Sequence, residues 1–230
     1  MRKPAFMIVS EHSRHQELFE CLSRTLVGDW YLINNKSDFN LQNIAKISPE
    51  YIFIPHYSHI IPNEITARFP CVMFHMTDLP FGRGGSPLQN LIVNGFTKTK
   101  LSAFRCIDEL DAGPIYCKAE FSLEGTAEAI FKKADQLVIK LIFDIIQNKI
   151  QPIEQHGKVS LFQRRTPEQG NIQNLNKLNV IYDYIRMLDA QGYPNAFVDI
   201  ENFKLNFSNA RFENGDLVAE VVFKELNNVT

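Results

Sequence analysis

The chain has 230 residues, enough for one large domain or one domain with a small appendage, and its 45% apolar and 22% charged residues are those of an ordinary globular protein. A formal net charge of -2 argues against the basic stripe of a strong nonspecific nucleic-acid binder. Cys21, Cys71, Cys106 and Cys117 form no C-x-x-C pair, which excludes the usual zinc-ribbon and redox patterns and leaves them as small core residues in a reducing compartment. The first apolar run, residues 5–9, is too short for a signal-peptide core, and residues 138–146 carry Lys140 and Asp144, which a membrane span would not tolerate. A cytoplasmic location with no membrane partner is therefore expected.

Residues 5–9 read as a buried strand, followed by helical spacing over 12–26 that puts Leu18, Phe19, Leu22 and Leu26 on one face. Strands follow at 30–33, 51–54 and 71–74, with a helix over 40–47 between the first two. Gly82 to Gly85 form a glycine-rich turn, and Ser86-Pro87 signals a helix start, with serine as N-cap, running to Asn94 and stopped by Gly95. Two more strands are predicted at 100–106 and 114–121, separated by the turn Asp111-Ala112-Gly113. The longest helix, over 126–148, carries the apolar stripe Ile130, Ala134, Leu137, Val138, Leu141, Ile142 and Ile145. The pattern changes after Ile150. Residues 151–171 are polar, and then come a helix over 175–188 and short strands at 196–200, 203–207 and 217–223. The expected fold class is α/β, a Rossmann-like, mostly parallel sheet with helices on both faces, plus a small α+β C-terminal domain. The corresponding division is a catalytic domain over 1–150, a linker over 151–171 and a small domain over 172–230.

Ligands of an open parallel sheet collect at the carboxyl ends of its strands. Three segments arrive there: 55–61, with a His-Tyr-Ser-His cluster at 56–59, then 75–85, and then 110–113. Ser10-Glu11-His12 replaces the glycine fingerprint of dinucleotide binding after the first strand, and no P-loop lysine follows Gly85, so a nicotinamide dehydrogenase is disfavoured. His56 and His59 are spaced like a ligand pair, but without a cysteine cluster they are a weak zinc signal, and no metal is expected.

The stretch from Phe74-His75 through Leu79-Pro80, Arg83-Gly84 and Pro87-Leu88-Gln89, with Asp111-Ala112-Gly113 36 residues after the histidine, resembles the signature of the formyltransferases that use 10-formyltetrahydrofolate. The resemblance extends over about residues 50–200. It implies 10-formyltetrahydrofolate as co-substrate, with His75 and Asp111 as catalytic residues: His75 to stabilise an oxyanion and move protons, Asp111 to orient and support it. It also implies folate contacts at Tyr57, His59, Ile60, Ile61, Leu110 and Gly113. Taken singly, a histidine at a strand end and an aspartate in a turn are more often structural. Their joint spacing favours the catalytic reading.

Arg83, Gly84 and Thr77 are candidate substrate contacts, although Arg83 could equally brace the glycine loop. Arg164 and Arg165, in a segment 162–168 similar to the linker of sugar-nucleotide N-formyltransferases, suit a diphosphate or else form a solvated linker. Residues 193–197, Tyr-Pro-Asn-Ala-Phe, resemble an element of the same enzymes' C-terminal domains. The sequence departs from the pattern at Met73, where the family has asparagine, and at Asp78, where it has leucine. Methionine cannot donate the hydrogen bond the asparagine gives the oxyanion, so Thr77, Asn90 or a backbone N–H is the expected replacement, and an inactive ligand-binding relative is the alternative. The tail looks too short and too weakly basic for a tRNA enzyme. The resemblance therefore implies a nucleotide-linked amino sugar as acceptor, for a surface glycan, with another small amine as the alternative acceptor, no nucleic-acid partner and a homodimer as the default assembly.

Overall fold

The computed structural model describes residues 3–57 and 59–226. Ser58, the third member of the 56–59 cluster, lies outside the described residues. The packing groups the chain into two compact units. One runs to Gly84 and adds Thr99–Phe121 and Lys133–Leu161; the other is Gly85–Lys98, Ser122–Lys132 and the chain from Phe162 onward. Each unit is thus assembled from separate stretches of the chain.

The first unit is built on a six-stranded sheet of order β2-β1-β3-β4-β6-β7. Its strands are β1 (Ala5–Val9), β2 (Asp29–Ile33), β3 (Tyr51–Ile54), β4 (Cys71–His75), β6 (Lys98–Arg105) and β7 (Ile115–Ser122), with the two-residue β5 (Arg83–Gly84) between β4 and β6 in sequence. β1 pairs in parallel with β2 and β3, β3 pairs in parallel with β4, and β4 pairs antiparallel with β6. The α/β, mostly parallel expectation holds. Every residue of β1 is buried, as a central parallel strand requires. Met7, Val9, Ile52, Ile54 and Cys71 join Ile44 and Ile65 in one apolar cluster.

Helix α1 (His15–Thr25) starts three residues later than its periodicity suggests. Residues 12–14 form a turn instead, with the His15 N–H on His12 O at 3.1 Å. His15 is buried and satisfied at both ring nitrogens, by Ser10 Oγ at 2.5 Å and Asp135 Oδ1 at 3.1 Å. Helix α2 (Leu41–Ile47) begins one residue after the predicted start, because Asn40 is its N-cap, its side chain accepting from Asn43 N–H at 3.0 Å. The short α3 (Asn63–Thr66) was not legible in the sequence; it is a single turn opened by Pro62. Helix α5 (Ala127–Gln147) buries Ile130, Ala134, Val138, Leu141, Ile142 and Ile145 of its predicted stripe, while Leu137 stays half-buried.

In the second unit, α4 (Pro87–Val93) and α6 (Leu178–Arg186) accompany a three-stranded sheet of order β11-β10-β9. The small β8 (Leu161–Phe162) precedes it in sequence. Ser86 does not cap α4 as predicted. Its backbone is left-handed, with φ 50°, and its hydroxyl accepts from Arg165 N–H at 3.0 Å instead. Strands β10 (Phe203–Glu213) and β11 (Asp216–Glu225) extend well beyond their apolar runs, since Asn214 and Gly215, both at positive φ, close a tight hairpin between them. β9 (Ala196–Ile200) pairs with β10 as the other antiparallel neighbour. The segment expected as a plain linker is ordered in part: Pro167–Gly170 is a 3-10 turn with a Thr166/Gln169 capping box. Buried Arg186 is satisfied by Asp183 and by the carbonyls of Leu123 and Gly125.

Among the described residues, no helix is long and apolar enough to cross a membrane, and no group of three or more acidic, histidine or cysteine side chains is arranged to hold a metal ion.

Candidate active site

His75 is the last residue of β4 and is 7% exposed. Its Nε2 lies 2.7 Å from the Gly82 carbonyl. A carbonyl only accepts, so Nε2 carries a proton, and Nδ1 is the nitrogen left to exchange one. Nδ1 faces Asp111 Oδ2 at 3.8 Å, too long for a hydrogen bond but close enough for the carboxylate to stabilise an imidazolium. Asp111, also 7% exposed, sits at φ 51° in the turn between β6 and β7. The same Oδ2 accepts the Gly84 N–H at 2.8 Å. The two carried-over residues thus meet around the glycine loop, as the spacing of their motifs implies.

That loop is tied down from several sides. Gly82 N–H donates to Ser160 Oγ at 2.8 Å and Arg83 N–H to Ser160 O at 3.0 Å. Ser102, opposite His75 across the β4/β6 ladder, donates to Thr77 O at 2.7 Å and accepts from Leu79 N–H at 3.3 Å. Asp78, which replaces the usual leucine, is paired with Lys118 and with Lys100, the latter at 2.9 Å. Burial pushes its carboxyl up, but hydrogen bonds from Lys118 and then Lys100 outweigh this and hold it below the ordinary carboxylate range.

Several expected contacts are placed differently. Thr77 is fully buried, and its hydroxyl donates to Gly82 O at 3.4 Å. It is no replacement for the missing asparagine. Asn90, the other side-chain candidate, spends its amide on the carbonyls of Gly85 and Gln163. Met73 itself packs against the core cluster. The Arg83 guanidinium donates to Gln155 and to Glu109, which makes it a brace. Gly84, at φ 105°, presents its N–H to Asp111. Arg165 is occupied within its own unit by Gln169 O at 3.0 Å and by the ring of Tyr184, while Arg164 is exposed.

Of the residues assigned to folate, Tyr57 lies edge-on to Phe39 and His59, and His59 pairs with Glu11 at 3.4 Å. Burial, then Glu11, raises the Tyr57 hydroxyl above its usual range. Ile60 is 92% exposed, but Ile61 turns into the core and can offer only backbone. Leu110 is exposed, and Gly113 has no room for a side chain. The sequence reading missed Gln155, Glu109 and Ser160, which stand in loops or in a polar connector without a motif.

The chain belongs to the formyl transferase family: residues 3–142 match the family described as Formyl transferase, and residues 167–224 match the family described as Methionyl-tRNA formyltransferase, C-terminal domain. The "Methionyl-tRNA formyltransferase" of a Nitratiruptor species is 28% identical over 168 residues, 71% of this chain and 55% of that protein. The chain spans about half the length of such curated relatives. A solved structure described as "Methionyl-tRNA formyltransferase from Clostridium thermocellum" is 42% identical, with a TM-score of 0.92, and covers 96% of this chain and 99% of its own. HypX from Aquifex aeolicus in complex with tetrahydrofolic acid, at 14% identity and a TM-score of 0.73 over 89% of this chain and 37% of its own, shares the fold.

These findings overturn the amino-sugar acceptor, the nucleotide-sugar partner and the exclusion of nucleic acid. The short tail had seemed to disqualify a tRNA enzyme. Yet that tail matches the methionyl-tRNA formyltransferase C-terminal domain, and a protein bearing that name is covered almost end to end by this chain.

Proposed function

We propose that the protein transfers a formyl group from 10-formyltetrahydrofolate to the α-amine of methionyl-tRNA. The observation that carries formyl transfer is the buried His75–Asp111 pair on the glycine loop, with Nε2 committed to Gly82 O and Nδ1 turned to the carboxylate. The names of the similar proteins support the acceptor. The amine nitrogen attacks the formyl carbon, a C–N bond forms, and the carbonyl oxygen becomes an oxyanion. The surplus amine proton leaves through His75 Nδ1 or water beside Asp111. The bond to N10 of the folate then breaks, and N10 departs with a proton. An imidazolium formed on the way is stabilised by Asp111. Tyr57, His59, Ile60, Leu110, the Ile61 backbone and Gly113 are the residues offered to the folate.

The test is incubation with 10-formyltetrahydrofolate and methionyl-tRNA, followed by mass spectrometry of the released amino acid. Formylmethionine is expected. His75→Ala and Asp111→Asn should lower kcat about 100-fold or more, the usual size of a general acid–base contribution. Turnover with other amines but not with methionyl-tRNA would reject the acceptor. A His75→Ala variant as active as the wild type would reject the catalytic assignment.

A further inference from the structure

We infer that Gln155 is a positioning residue for the reaction, and that the polar connector after Ile150 is thereby part of the active site. The inference rests on the formyl-transfer reading above. Gln155 Nε2 donates to two carbonyls, Asp111 O and Gly113 O, each at 2.8 Å. Its Oε1 accepts twice from Arg83, from Nε at 3.2 Å and from Nη2 at 2.9 Å. An amide has two donor hydrogens and two acceptor lone pairs, and all four are used. The orientation of the amide is unambiguous, because carbonyls only accept and a guanidinium only donates.

The consequence lies in what these bonds hold. Asp111 is a non-glycine residue at φ 51°, a strained left-handed conformation that persists only when its surroundings impose it. Gly113 is pressed against the Arg105 carbonyl. Gln155 grips the chain on both sides of Ala112, at the two residues whose backbone sets where the Asp111 carboxylate points. Through Arg83, which also bonds Glu109 at the start of the turn at 2.9 Å, the same amide ties that turn to the glycine loop. The loop supplies Gly84 N–H to Asp111 and Gly82 O to His75. Gln155 touches no reacting atom. It fixes the distance between His75 Nδ1, the nitrogen left to exchange a proton, and the carboxylate that faces it, and displacements of an ångström at such a pair cost on the order of 100-fold in rate.

Gln155→Met keeps length and volume but removes all four bonds. Gln155→Glu keeps the contact with Arg83 but sets a carboxylate oxygen against two carbonyls. Both variants should lower kcat about 10- to 100-fold while KM for each substrate stays within about threefold. Gln155→Glu should be the slower, even though it preserves the bond to Arg83. Amides of residues 109–113 should exchange hydrogen at least about tenfold faster in Gln155→Met, with the exchange of β1 and β3 unchanged. Wild-type kcat in Gln155→Met, or unaltered exchange over 109–113, would overturn the inference. A fall in kcat accompanied by faster exchange throughout β1 and β3 would also overturn it, as a general loss of stability. A wild type that formylates no amine would defeat the functional reading itself, a result separable from these because the exchange measurement does not depend on turnover.

Discussion

His75 and Asp111 illustrate what a pair of residues can and cannot disclose before folding. Their identities and spacing were legible because each stands in a contiguous motif that resembles the signature of a known family, and the two motifs lie 36 residues apart. Which imidazole nitrogen is left open for the proposed chemistry was not legible; it follows from the Gly82 carbonyl, which claims Nε2. Asp78 makes a residue-scale prediction with a definite sign. Its carboxyl is held below the ordinary range, so the stability it contributes is present above the unfolded value near 3.8 and is lost as pH falls through the lower folded value. Asp78→Asn should therefore melt below the wild type at pH 7. The gap should narrow as pH is lowered below about 4, as followed by thermal denaturation across a pH series. A gap that stays constant to pH 2 would contradict the pairing with Lys118 and Lys100.

The elements repeat this division between what local chemistry writes and what packing adds. Central strands β1 and β3 were readable because a strand buried on both faces must be apolar at every position. The lengths of β10 and β11 were not, because a strand that faces water needs no apolar run; the Asn214-Gly215 turn was the overlooked signal. Turn chemistry also yields a contrast between two glycines. A Cβ at Gly113 would stand 1.7 Å from the Arg105 carbonyl oxygen, within the backbone of the neighbouring strand, whereas a Cβ at Gly95 meets nothing within 4 Å although φ is +78°. Gly113→Ala should lose on the order of 3 kcal/mol or fail to fold, as overpacking against backbone does. Gly95→Ala should lose only about 1 kcal/mol from its left-handed backbone. Urea denaturation of the two variants makes the comparison, and equal losses would refute it.

At the scale of the whole molecule, charge bears on how an RNA acceptor would be engaged. Residues 167–226 carry five lysines and arginines against nine aspartates and glutamates. Such a segment supplies little attraction for a polyanion, so the proposed binding of methionyl-tRNA must rely on few phosphate contacts. The logarithm of the binding constant should then fall with the logarithm of salt concentration with a slope of about -3 or shallower, as measured by filter binding between 50 and 300 mM salt. A slope of about -8 would show an extensive phosphate footprint outside this segment. The exclusion of tRNA rested on the tail's shortness and weak basicity, and the match of residues 167–224 reverses it.

By itself the sequence determined the α/β class, the order of the parallel strands' apolar segments and the candidate pair His75 and Asp111, because each is written in local periodicity or in a contiguous motif. Only the tertiary structure decided which polar groups are already spent. Thr77 donates to Gly82 O, Asn90 is satisfied by two carbonyls, and Arg83 braces a turn. It also brought Gln155, 44 residues from Asp111 in sequence, into contact with it. The physical reason is that hydrogen-bond satisfaction is a property of where chain segments meet. A polar residue in a featureless connector carries no mark of the carbonyls it will hold.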